Sequence, residues 1–181
     1  MTGADWAVLA AAAVLVFWMV GAHNRVVALR NAIVTAWAQC DELLQRRAAT
    51  VLPLLETLRP LMPAEQGTLD AVMTALQGAR RAGDAVRPRP ARADTVAALG
   101  GAETALSSTL ARLTALVEQD AQARQADEVA VALRALRDLD GRLGFARQLF
   151  NDAAEAYNQA VGQFPTRLLA PLFRFGKAGL L

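Results

Sequence analysis

Residues 127–164 read DEVAVALRALRDLDGRLGFARQLFNDAAEAYNQAVGQF, and this stretch decides the fold. Val129, Leu136, Leu143, Phe150, Tyr157 and Phe164 recur every seven residues. Ala132, Leu139, Ala146, Ala153 and Ala160 each follow three places after one of the first five. A repeat of this kind lays one apolar stripe along a helix, and the stripe needs a facing helix to cover it. Bulky side chains at one seam position and mostly alanine at the other let that neighbour come close. Asp127 is the expected N-cap and Pro165 the expected stop.

A matching stripe lies toward the other end of the chain. Val26, Leu29, Ile33, Trp37, Cys40, Leu44, Val51, Leu54 and Leu58 keep three-and-four spacing. Arg47 falls among them and must snorkel or find a partner. Upstream, residues 6–22 carry no charge. As a helix this run spans about 25 Å, slightly less than a bilayer core of about 30 Å. Polar residues at its ends, His23 and Asn24 among them, can lengthen it. Nothing breaks the helix between run and stripe, so one helix over residues 5–50 is expected. Pro53 should kink or end it, because proline lacks the amide donor and crowds the preceding turn. Pro60 and Pro63 mark the corner.

Two shorter helices are expected between the long ones. The first covers residues 63–85, with Leu69, Val72, Met73, Leu76 and Ala79 on its apolar face. The second starts at Asp94 as N-cap and runs to Val117 through Val96, Leu99, Leu106, Leu110 and Leu113. Arg87-Pro88-Arg89-Pro90 separates them and cannot be helical. Residues 119–125 form a polar connection, and Gly100-Gly101 should loosen its helix. No alternating strand pattern occurs. The expected fold is all-α: an N-terminal transmembrane helix continuing into an antiparallel up-and-down four-helix bundle, with two long and two shorter helices. Residues 1–23 are the anchor, 24–164 the bundle, and 165–181 an apolar and basic segment that returns to the membrane by parity.

Charge sets the expected orientation. No Lys or Arg precedes the apolar run, whereas Arg25, Arg30, Arg46 and Arg47 follow it. Positive residues stay inside, so the N-terminus should face out and the body should lie in the cytoplasm of a bacterial inner-membrane protein. A cleaved signal with an exported body is the alternative, given Val20-Gly21-Ala22, but the run lacks a basic leader. The single Cys40 builds no disulfide framework. The body's mild positive excess does not argue for nucleic acid.

Asn24 to Leu55 contains Leu29-Arg30-Asn31, Ala36-Trp37, Asp41 and Arg46-Arg47. Near the other end come Ala146-Arg147, Phe150-Asn151, Tyr157-Asn158, Phe164-Pro165, Leu168 and Ala170. These two blocks, in this order, resemble the LemA family of bacterial membrane-anchored helical proteins. The chain departs from the family at Ala49-Thr50-Val51-Leu52-Pro53-Leu54-Leu55, where an acid and an amide are gone and the proline sits one place later. The resemblance implies a helical bundle on a membrane anchor and brings no activity with it.

The candidate interaction or packing residues are Trp37, Arg46, Arg47, Phe150, Asn151, Tyr157, Asn158, Phe164 and Pro165. Each Asn lies one step past a seam aromatic, where a polar group most readily sets helix register by bonding within the bundle. Arg80, Arg81, Arg87, Arg89, Arg167, Arg174 and Lys177 are candidate lipid contacts. His23 has no second His or Cys to form a zinc site. Cys40 lies on the apolar seam with no base to activate it. No phosphate loop or nucleophile elbow occurs. The chain is therefore expected to be non-catalytic, without cofactor or small-molecule substrate. Membrane lipid and a protein partner, or a second copy, are the expected contacts, with no nucleic acid. The expected role is a membrane-tethered scaffold or adaptor. A regulator of a membrane protease or envelope-stress system, an anionic-lipid binder and an enzyme are the alternatives.

Overall fold

The structure is a computed structural model that describes residues 3–164, 166–169 and 176–181. Its first helix, α1, runs unbroken from Gly3–Leu61 and passes through both Pro53 and Pro60. The expected break at Pro53 does not occur, for a local reason. A proline at 53 frees the carbonyl of Ala49, and one at 60 frees that of Glu56. Pro53, Pro60, Ala49 and Glu56 are all exposed, so water can take the freed carbonyls. The buried stripe of Val51, Leu54, Leu55 and Leu58 runs on undisturbed along the opposite side.

A 3-10 turn at Pro63–Glu65 then leads into α2 (Gln66–Val86). Gln66 closes the corner: its side-chain amide donates to the carbonyls of Arg59 at 2.9 Å and Met62 at 3.3 Å. The last carbonyls of α1 thus find a donor where the helix ends. Next comes α3 (Ala93–Gln119), with Arg92 rather than Asp94 at the N-cap. Asp94 sits inside the first turn, where it accepts from the backbone of Thr95 and from Arg92. A carboxylate there still faces the positive end of the helix. Gly100-Gly101 lies within α3 without breaking it.

The polar connection is itself a short helix, α4 (Ala121–Gln125). Asp120 caps it, accepting from the backbone amides of Gln122 and Ala123. The second long helix, α5, spans Asp127–Gly162, with Ala126 at its N-cap. Val129, Leu136, Leu143, Phe150 and Tyr157 are all buried. Phe164 is not: it follows the end of α5 and is 77% exposed. The seven-residue repeat therefore outlasts the helix by one member. A last turn, α6, covers Thr166–Leu169. Among the described residues there is no strand.

Two apolar clusters show how the helices run. One joins residues 48–58 of α1 and Met62 after it to Leu69–Ala79 of α2, Leu106–Val117 of α3 and Val129–Leu136 of α5. The other joins Val26–Cys40 of α1 to Val86, to Val96 and Leu99, and to Ala146–Val161 of α5. Rising numbers on α1 thus meet falling numbers on α5, so the long pair is antiparallel. The α2–α3 hairpin contributes to both clusters. Arg87, just after α2, bonds Asp41.

Candidate interaction site

Between the two apolar clusters lies a buried ionic layer. Arg47 of α1 donates through Nη1 to Glu103 Oε2 of α3 at 2.9 Å, and through Nη2 to Ser107 Oγ at 3.2 Å. Arg147 of α5 donates to the same Glu103 oxygen at 2.8 Å. Arg47 Nε also stands 3.1 Å from Asp140 Oδ1, near enough for charge attraction but not aligned as a hydrogen bond. The Arg47 and Glu103 side chains are 4% and 5% exposed. Burial raises the Glu103 carboxyl above its ordinary pKa, and the two guanidiniums oppose that rise. The layer ties α1, α3 and α5 together at one height.

Beside it opens a cavity of about 400 Å³, lined in part by Asp41, Leu44, Leu52, Leu76, Arg80 and Glu103. At its edge Arg87 bonds both oxygens of Asp41 and one of Asp84. Those bonds hold the Arg87 guanidinium more firmly protonated than usual. Among the described residues no three His, Cys, Asp or Glu side chains gather as metal ligands would.

The sequence candidates divide by place. Trp37 and Phe150 meet edge to face with ring centroids 6.2 Å apart, both buried. Trp37 Nε1 has no hydrogen-bond partner, so the indole serves as apolar bulk at a polar cost. Tyr157 is buried one helix repeat further along, where burial raises its phenol pKa and Arg30 opposes the rise. Arg46 is exposed and pairs with Glu42 one turn back. Cys40 is buried, and burial pushes its thiol up to about 11. Pro165 and Arg174 lie outside the described residues.

Asn151 and Asn158 bond within the bundle, but not to a neighbouring helix. Asn158 accepts from the Ala178 amide at 2.7 Å and donates to the Ala178 carbonyl at 3.0 Å. Asn151 repeats this with Leu181, at 2.8 Å and 2.9 Å. Residues 176–181 therefore lie along α5 as an extended tail. Nothing in the pattern of the sequence pointed to this pairing, because the tail has no periodicity of its own.

The basic candidates are less uniform than their sequence suggested. Arg80, Arg81 and Arg89 are exposed, as are Arg167 and Lys177. The loop at residues 87–92 turns toward the anchored end of α1, and Arg87 at its start bonds Asp41. Arg167 follows the end of α5, whose Val161 reaches the level of Val26. Glu103 escaped the sequence reading altogether. The clue was available: Val96, Leu99, Glu103, Leu106 and Leu110 keep unbroken three-and-four spacing, which places the carboxylate on the seam.

The apolar start of α1 stays uncovered, with Phe17, Val8, Val14 and Trp6 all strongly exposed. It is the one helix among the described residues long and apolar enough to cross a membrane. The LemA family profile matches residues 36–181. A curated relative, the magnetosome protein MamQ of Magnetospirillum gryphiswaldense, is 35% identical over 78 residues. That stretch is 43% of this chain and 29% of MamQ, so the chain spans under a third of that relative's length.

Proposed function

The chain belongs to the LemA family, a membrane-associated helical protein, and from that premise we propose that it is a non-catalytic, membrane-tethered adaptor. Its bundle would present a folded helical surface to a protein partner close to the bilayer. The observation that supports this most is the use of the buried charges. Arg47 and Glu103 pair with each other in the interior and with the more exposed Asp140 and Arg147 at its edge, tying three helices together as a register-setting layer does. What remains for recognition is the outside of the bundle. There the long pair leaves Val34, Phe145 and Leu149 partly or largely exposed. We also place the body on the cytoplasmic side, because Arg25, Arg30, Arg46 and Arg47 follow the apolar run and no basic residue precedes it.

Site-specific photo-cross-linking in intact membranes tests this reading. A cross-linker at Phe145 should trap one or a few discrete protein partners, or a second copy, whereas one at exposed Glu118 should not. Cross-links to lipid alone from every position would overturn the adaptor reading. A C-terminal tag that an impermeant reagent reaches in intact cells would overturn the orientation.

A further inference from the structure

The tail at residues 176–181 occupies a groove with the features of a peptide-binding site. Asn151 and Asn158 stand seven residues apart on α5, about 10.5 Å along its axis. Ala178 and Leu181 stand three residues apart, about 9–10 Å of extended chain. The two spacings match, so each asparagine meets one residue and bonds both its amide and its carbonyl. A flat strand turns alternate residues to opposite sides and would present Leu181 away from Asn151. An extended helix of three residues per turn returns the same edge every third residue. The asparagine pair thus reads main chain in a polyproline II-like form, with no regard for side chains.

Selectivity comes from the other wall. A Cβ on Gly179 would stand 2.8 Å from Ala93 Cα, 2.9 Å from Val96 Cβ and 3.1 Å from the Ala93 carbonyl oxygen. Two of these atoms are backbone at the start of α3, which cannot yield as a flexible side chain could. Ala178 beside it is 6% exposed, so a small side chain is enclosed there. The site therefore admits a small residue, then glycine, then any residue, then one clasped by Asn151.

We propose that the groove between α5 and the start of α3 is a peptide-recognition site for extended segments of this pattern, with the chain's own tail as its built-in occupant. This rests on the adaptor reading for its use: a partner would engage by presenting such a segment in place of the tail. The tail, tethered to the same chain, competes at an effective concentration in the millimolar range for a short linker. Access to the groove is thereby limited to partners that bind well or that the membrane holds nearby.

The test uses the full-length protein in detergent and a fluorescent hexapeptide, Gly-Lys-Ala-Gly-Leu-Leu. Gly179→Val in the protein should expel the tail and open the groove. The peptide should then bind this variant at least about tenfold more tightly than the wild type, whose tail competes. The same peptide with valine at its second glycine should not bind. Adding Asn158→Ala to the Gly179→Val protein should abolish binding. Ala178→Asp, which expels the tail by a different clash, should open the groove in the same way. Folding of each variant is followed by helical circular dichroism. Folded variants that bind no peptide, or that bind no better than wild type, would overturn the proposal. So would unfolding of both tail variants, since the tail would then be core rather than ligand. Loss of peptide binding with cross-links at Phe145 intact would refute the groove and leave the adaptor reading standing.

Discussion

Replacing Glu103 by alanine should destabilise the bundle by about 3 kcal/mol, for reasons that lie mainly with Arg47. The Arg47 side chain is 4% exposed, so its guanidinium cannot turn to water when its carboxylate partner is removed. Breaking a buried ion pair from one side costs about 3–5 kcal/mol, because the surviving charge stays desolvated. Two contacts favour the lower end here. Ser107 Oγ still accepts from Nη2, and Asp140 still stands 3.1 Å from Nε. Arg147 adds little to the cost, because it is 33% exposed and can be hydrated. For a chain of this size, 1 kcal/mol shifts the midpoint by about 2–4 °C, so the expected fall is about 6–12 °C. Thermal unfolding followed by circular dichroism at 222 nm in detergent measures it. The double replacement Arg47→Met with Glu103→Leu removes both charges and fills the space. It should melt at or above the wild-type temperature, since apolar substitutes for a buried pair are often neutral or stabilising. A fall under about 3 °C for Glu103→Ala, or a double variant no better than the single one, would refute the account.

Glu103 should also mark the pH dependence of stability. Its folded pKa is raised by burial, so its contribution is fullest below the ordinary value of 4.5 and is lost as pH rises through the raised value. Glu103→Gln should remove that decline, and parallel stability curves for the two proteins would count against it. Phe150→Ala should cost about 3–5 kcal/mol, since a fully buried ring and its edge contact with Trp37 are lost. Phe150→Asp should unfold or aggregate the body outright, and a wild-type melting curve for it would refute the seam assignment. Cys40, with its thiol raised to about 11, should resist a thiol reagent at pH 8 in the folded protein and react fully in urea. Rapid labelling without denaturant would show that the seam opens there.

The two seams were legible because a buried helix face writes its spacing directly into the sequence. Positions 26, 33, 37 and 40, and then 129, 136, 143, 150 and 157, are buried as their spacing requires. Helix ends were less legible, because they depend on local competition. Pro53 looked like a break, but its exposed position lets water take the freed carbonyl. The ionic layer was half legible: Arg47 stood out on its seam, whereas Glu103 was passed over as one acid among many. Matching seam charges of opposite sign would have paired them. The asparagine clasp could not be read at all, since it joins a helix to residues 20 and 30 positions away that lack periodicity.

The unbroken course of α1 has a mechanical consequence. Its 59 residues make a rod of about 88 Å, with no joint between the apolar run and the bundle. Such a rod conveys torsion as well as tilt. The azimuth of the bundle about the membrane normal is then locked to the face that α1 shows to its surroundings near Phe17 and Trp18. One alanine inserted after Asn24 would lift the bundle by about 1.5 Å and swing it through about 100°, while every internal contact of the bundle survives. Two such proteins, identical in fold and stability, would aim the same surface in different directions.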